Sequence, residues 1–130
     1  MERQYNILIV DDIFMNRLLI KEIVSGCTKH VYEAENGQQA IDIIKEQKEL
    51  DMVLMDIEMP VMNGLETTRY IRTQLGTPMS NLPIIALTAH NPDDFFEDFH
   101  SAGFNHLLTK PYSIEKVLNL IYDLEKDKTI

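Results

Sequence analysis

The sequence predicts an α/β fold, a five-stranded parallel sheet with helices on both faces. Three observations carry this. The runs "ILIV" at 7–10, "MVLM" at 52–55 and "PIIAL" at 83–87 are short and uniformly apolar, as strands buried on both sides must be. Between them, apolar residues recur at helical spacing. The two patterns alternate five times, in units of roughly 20–30 residues, which is the rhythm of strand–helix–strand crossovers.

The elements follow in order. The first strand is Ile7–Val10. Met15, Leu18, Leu19, Ile23 and Val24 form the apolar stripe of the first helix, which stops at Gly26. A weaker strand lies near His30–Glu33. Asn36 caps the second helix with Gln39 three residues on, and Ala40, Ile41 and Ile44 are its inner face. After the strand Met52–Met55, Asn63 and Glu66 repeat the capping pattern before "LETTRYIRTQL". The strand Pro83–Leu87 leads to a fourth helix from about Pro92 to Ala102, ended by Gly103. The fifth strand is His106–Leu108. Ser113 caps a fifth helix with the stripe Ile114, Val117, Leu118, Ile121 and Leu124. One domain is expected over residues 1–130, with its core from about 6 to 124 and a frayed end, "EKDKTI".

Composition narrows the function. The charge of -9, from 12 basic and 21 acidic residues, opposes nucleic-acid binding, which needs a basic face to displace counterions. An acidic surface also disfavours anionic membranes, and no apolar run reaches the roughly 18–20 residues of a membrane span. Protein partners are the expectation. "MERQYN" has no signal-peptide pattern, and one cysteine, Cys27, cannot form an internal disulfide, which gives a cytoplasmic reading. The histidines at 30, 90, 100 and 106 have no metal-ligand spacing, and most of the seven methionines lie in apolar runs.

The polar residues fall in a pattern. Asp11 and Asp12 end the first strand, Asp56 the third and Thr88 the fourth, while Lys110 follows the fifth. In an open parallel sheet those ends share one edge, where ligands bind. Three neighbouring carboxylates repel, so either one keeps its proton or a cation neutralises them. Carboxylate oxygens with a backbone carbonyl and water suit a hard ion such as Mg²⁺. With that charge offset, a phosphoryl group can approach an aspartate nucleophile and form an acyl phosphate. Lys110 and the Thr88 hydroxyl are suitable donors for its remaining oxygens.

"VDD" at 10–12, "MDIEMPVMNGLE" at 55–66, "PIIALTA" at 83–89 and "AGFNHLLTKP" at 102–111 resemble the receiver domain (CheY-like) of two-component response regulators. The resemblance implies a doubly wound, flavodoxin-like sheet of order 2-1-3-4-5. It implies that Asp56 accepts a phosphoryl group from a histidine kinase or a histidine phosphotransfer protein. Mg²⁺, with Mn²⁺ as an alternative occupant, would bind Asp12, Asp56 and the backbone carbonyl of Glu58, with Asp11 acting mainly through water. Thr88 would move onto the phosphoryl group, Lys110 would pair with it, and Lys110–Pro111 would be cis. The chain would thus be a signalling switch that catalyses only its own phosphorylation and dephosphorylation. "MPVMNGLE", Asn16–Arg17 and "ALTAH" are most similar to receivers of hybrid sensor kinases, although an initial Met and the lack of a second domain favour a free-standing receiver over an excised one.

Several positions depart from the family pattern. Leu107 stands where an aromatic switch residue is usual, and His106 beside it is expected to face outward. Glu58 and His90 occupy positions that tune the phosphoryl lifetime, where they either orient water or point into solvent. Ile13 replaces a common polar residue. In "DDFFEDFHSAG", Phe95 and Phe96 lie about 100° apart on a helix, so not all three phenylalanines fit the core. An exposed Phe95 or Phe96, with Tyr112 nearby, would anchor an unidentified output partner on the surface of helix 4, strand 5 and helix 5. The competing readings are a degenerate receiver that binds unphosphorylated, a Mg²⁺-dependent phosphohydrolase, which lacks a second aspartate at 58, and a flavin carrier, whose phosphate the acidic "DDIFMN" loop would repel.

Overall fold

The computed structural model describes residues 4–59, 61–89, 101–110 and 113–128, with side chains as far as residue 123. Five strands alternate with helices. They are β1 (Tyr5–Val10), β2 (Thr28–Ala34), β3 (Met52–Asp56), β4 (Ile84–Thr88) and β5 (His106–Thr109). The helices with described bounds are α1 (Phe14–Val24), α2 (Gly37–Glu46), α3 (Gly64–Gln74) and α4 (Ile114–Lys128), the last being the fifth helix expected from the sequence. The sheet order is β2-β1-β3-β4-β5 and every pairing is parallel, as expected. Each strand runs one or more residues beyond its apolar run, because ladder bonds continue where side chains turn polar. Pro83 has no N–H to donate and stays outside β4, its carbonyl accepting from the Val53 N–H at 2.9 Å.

Alternation along β1 divides the core. Ile7 and Ile9 pack with Ile20, Val24, Val117 and Ile121 under α1 and α4. Leu8 and Val10 pack with Ala40, Ile41, Ile44 and Ile71 under α2 and α3. Neither face of the strand reaches water, so the run reads as apolar without a break.

The caps expected for three helices are present. The Asn36 side chain accepts from the Gln39 N–H at 2.9 Å, and Gln39 reaches back to the N–H of Glu35 rather than of Asn36. Asn63 and Glu66 form a complete capping box. The Ser113 hydroxyl accepts from the Lys116 N–H at 3.1 Å. Gly103 has φ +102, a left-handed conformation that glycine tolerates, and its carbonyl accepts from Arg72 Nε at 2.9 Å.

The expected face of α1 is corrected. Ile20, Val24 and Arg17 are buried, whereas Met15, Leu18 and Leu19 are 65%, 39% and 53% exposed. The helix carries two apolar stripes, and the sheet covers the one ending in Ile20 and Val24. Cys27 is buried.

Candidate functional site

Register builds the site. Val10 pairs with Met55, so the next residues, Asp11 and Asp56, emerge side by side on adjacent strands. Asp56 pairs with Leu87, and Thr88 pairs with Thr109, which brings Thr88 and Lys110 to the same edge. The Lys110 N–H donates to the Thr88 carbonyl at 2.7 Å. One carboxylate oxygen from each of Asp11, Asp12 and Asp56 lies within 4.8 Å of the others. Lys110 Nζ is 3.4 Å from Asp56 Oδ1 and 3.9 Å from Asp11 Oδ2.

Asp11 and Asp56 are buried and Asp12 is exposed. Asp11 Oδ1 accepts from the Ile13 N–H at 2.9 Å and Asn16 Nδ2 at 3.4 Å. Its Oδ2 is buried without a hydrogen-bond partner. Burial first, and then the charge of Asp11, push the Asp56 carboxyl up to about 6. Lys110 and the Glu58 N–H, 3.4 Å from Oδ1, pull in the opposite direction.

The Asp11 oxygen that accepts no hydrogen bond and the all-oxygen donor set fit a hard divalent cation, because a cation would coordinate that oxygen and offset the repulsion on Asp56. Glu58 is exposed beside the site. Thr88 is fully buried. Leu107 is half-buried and packs against the cluster of Ile57 and Ala86, and His106 is half-buried. His90, Phe95, Phe96, Phe99, Tyr112 and the Lys110–Pro111 bond lie outside the described residues.

Sequence reasoning missed two supports of this site. Arg17, singled out only as a mark of resemblance, donates from Nη1 to the Asp11 carbonyl at 2.8 Å. A basic residue inside an otherwise apolar helix stripe was the available signal. Gly64 was unremarked within "MNGLE", yet a Cβ there would lie 2.5 Å from the Asp56 carbonyl oxygen.

Among the described residues, the loop after β3 holds one strained position. Val61 has φ 70 and is 85% exposed. A β-branched side chain in the left-handed region costs about 1–2 kcal/mol, and the exposed isopropyl group recovers little by packing. Val61→Gly is therefore expected to raise the unfolding free energy by about 1 kcal/mol in a urea titration. An unchanged or lower midpoint would refute strain at this position.

Comparison with known proteins supplies the family. Residues 7–122 match the response regulator receiver domain. The chain is 34% identical over 119 residues to hybrid signal transduction histidine kinase I of Dictyostelium discoideum, covering 88% of this chain but 7% of that protein. It superposes with a TM-score of 0.81 and 31% identity on the receiver domain of sensor histidine kinase PA1611 from Pseudomonas aeruginosa PAO1, covering 95% and 96% of the two chains. That crystal structure has a magnesium ion coordinated in its active-site cleft. The receiver domain of the Saccharomyces cerevisiae response regulator Ssk1, crystallised with the histidine phosphotransfer protein Ypd1, superposes with a TM-score of 0.86 and 26% identity. That match covers all of this chain and 94% of its counterpart. With the sheet order, the strand-end carboxylates and the lysine already in place, the chain belongs to the response regulator receiver domains of two-component signalling.

Proposed function

We propose that this chain, as one receiver domain with its core from about residue 6 to 124, takes a phosphoryl group onto Asp56 from a phosphohistidine of a histidine kinase or phosphotransfer protein. The observation that carries this reading is the meeting of the Asp11, Asp12 and Asp56 carboxylates within 4.8 Å, with Lys110 against Asp56. An Asp56 oxygen attacks phosphorus, and a P–O bond forms as the phosphoimidazole P–N bond breaks. The electron pair leaves on the imidazole nitrogen, and the product is an acyl phosphate. Asp11, Asp12, Asp56 and the backbone carbonyl of Glu58 would hold Mg²⁺ or Mn²⁺, which supplies charge neutralisation for the incoming phosphoryl oxygens. Lys110 and Thr88 bind those oxygens. Glu58 and His90 tune the lifetime of the adduct, and the response, a population shift, involves Leu107 and engages the output partner through Phe95, Phe96 and Tyr112.

The donor protein has a place to sit. Ile13, Phe14, Met15, Leu18 and Leu19 are all between 39% and 65% exposed on the α1 side of the acidic loop. So many exposed apolar residues beside a reactive centre mark a protein contact. Replacing Met15 and Leu19 by glutamate is expected to slow transfer from a phosphohistidine protein about tenfold or more. Labelling by acetyl phosphate, which needs no docking surface, should stay within about twofold. Equal slowing of both donors would place the effect in the chemistry instead.

The test of the main reading is intact mass after incubation with acetyl phosphate, with Mg²⁺ and with chelator. One added phosphoryl group that requires Mg²⁺ and is absent from Asp56→Asn supports the reading. A folded chain that gains none under any condition overturns it in favour of a receiver that binds unphosphorylated.

A further inference from the structure

The buried Arg17 side chain, 9% exposed, joins three elements at once. Its Nη1 donates to the Asp11 carbonyl at 2.8 Å. Its Nε donates to Glu33 Oε1 at 3.1 Å, and its Nη2 lies 3.9 Å from Glu35 Oε1. The guanidinium carbon is 5.7 Å from the centre of the Phe14 ring. The Asp11 peptide is therefore held on both sides, its N–H donating to the Ala34 carbonyl at 3.1 Å and its carbonyl accepting from Arg17. The short segment it anchors carries two of the three clustered carboxylates, including the buried Asp11 Oδ2 that has no hydrogen-bond partner.

We propose that Arg17 is a positioning residue for divalent-cation binding: by bridging the Asp11 carbonyl to Glu33 at the end of β2, it holds the Asp11–Asp12 segment where its carboxylates converge with Asp56. This rests on the cation-dependent reading above. The planar fork is what permits the bridge, because separate N–H groups serve the carbonyl and the carboxylate at fixed angles. A lysine ammonium on a flexible stem holds no such geometry.

Charge and geometry predict opposite signs for removing Arg17, which makes the proposal decidable. If the guanidinium acted only through its positive charge, removing it would tighten cation binding. That effect is small, about twofold, because Glu33 and Glu35 already offset the charge and solvent screens the rest. If it positions the loop, removing it weakens binding by about tenfold or more, the usual consequence of losing a group that orients metal ligands.

The experiment is a Mn²⁺ titration of the full chain followed by electron paramagnetic resonance of the free ion, which needs no phosphorylation. Wild type, Arg17→Met and Arg17→Lys are compared, with thermal melting in chelator to establish that each is folded. The expected result is a dissociation constant raised about tenfold in Arg17→Met and at least about threefold in Arg17→Lys, where the charge is kept and the fork lost. Should Arg17→Met fail to fold, Arg17→Lys carries the test. A folded Arg17→Lys that binds Mn²⁺ as tightly as wild type, or a folded Arg17→Met that binds more tightly, would overturn the positioning role. Wild type that binds no Mn²⁺ would instead overturn the metal reading itself, so the two failures are distinguishable.

Discussion

Asp56→Asn is expected to take up no phosphoryl group from any donor and, in chelator at pH 7, to melt at a higher temperature than wild type. The first effect follows from removing the proposed nucleophile, since an amide oxygen does not form the acyl phosphate. The second follows from what wild type tolerates at this position. Asp56 is 3% exposed and its carboxyl is pushed from 3.8 up to about 6 by burial and then by Asp11. A raised carboxylate pKa means the folded chain holds a proton that the unfolded chain has released. Native stability is therefore greatest below the unfolded value near 4, falls as pH rises toward 6, and stays low above it. At roughly 1.4 kcal/mol per pKa unit, the cost at pH 7 is on the order of 2–3 kcal/mol. Asparagine removes it and should raise the melting temperature by roughly 5–10 °C for a domain of this size. The gain should shrink between pH 6 and pH 4, and saturating Mg²⁺ should erase it by stabilising wild type selectively. Equal melting curves for the two proteins across pH 4–7 would mean that Asp56 is not held at a cost.

Gly64→Ala is the second large effect. Alanine in place of glycine in a helix ordinarily gains about 0.5–1 kcal/mol. Here the added methyl would lie 2.5 Å from the Asp56 carbonyl oxygen and 2.8 Å from Ile57 Cα. Both are backbone atoms that no rotamer change can move. The Gly64 N–H also donates to the Ile57 carbonyl at 2.9 Å, which keeps the start of α3 tight against the end of β3. Forcing these segments apart costs about 3 kcal/mol, so the steric term exceeds the helix gain. A lowered urea midpoint is the expected result, and the fraction that folds should accept a phosphoryl group more slowly because the shift falls on Asp56 itself. A midpoint within about 0.5 kcal/mol of wild type would show that the β3–α3 junction yields without penalty.

Much of the site was legible because parallel topology imposes a simple rule. Each strand end reaches the same edge, so an acid at the end of "ILIV", another at the end of "MVLM" and a lysine after "HLLT" had to meet, however far apart in sequence. Caps were legible for a similar local reason. An Asn followed three residues later by Glu or Gln closes its hydrogen bonds within one turn, and distant contacts barely affect it. Leu107 shows the limit: the sequence marks it as a departure from an aromatic, while its half-buried seat against Ile57 and Ala86 depends on two other segments.

The sequence by itself determined the α/β alternation, the two-sided burial of the strands and the edge on which the carboxylates and the lysine gather, since each follows from local periodicity and strand direction. Only the tertiary structure decided which stripe of α1 faces inward. Met15, Leu18 and Leu19 are as apolar as Ile20 and Val24, and helical spacing fits both sets, so the helix's rotation about its axis is chosen by what the sheet beneath can cover. That rotation turns Arg17 inward to the Asp11 carbonyl and Glu33, and leaves the other stripe bare beside the acidic loop. Close backbone approach was likewise hidden, because a glycine records the room it needs without naming the atoms that fill it. At Gly64 those atoms belong to Asp56 and Ile57, and only the packing of α3 against the end of β3 identifies them.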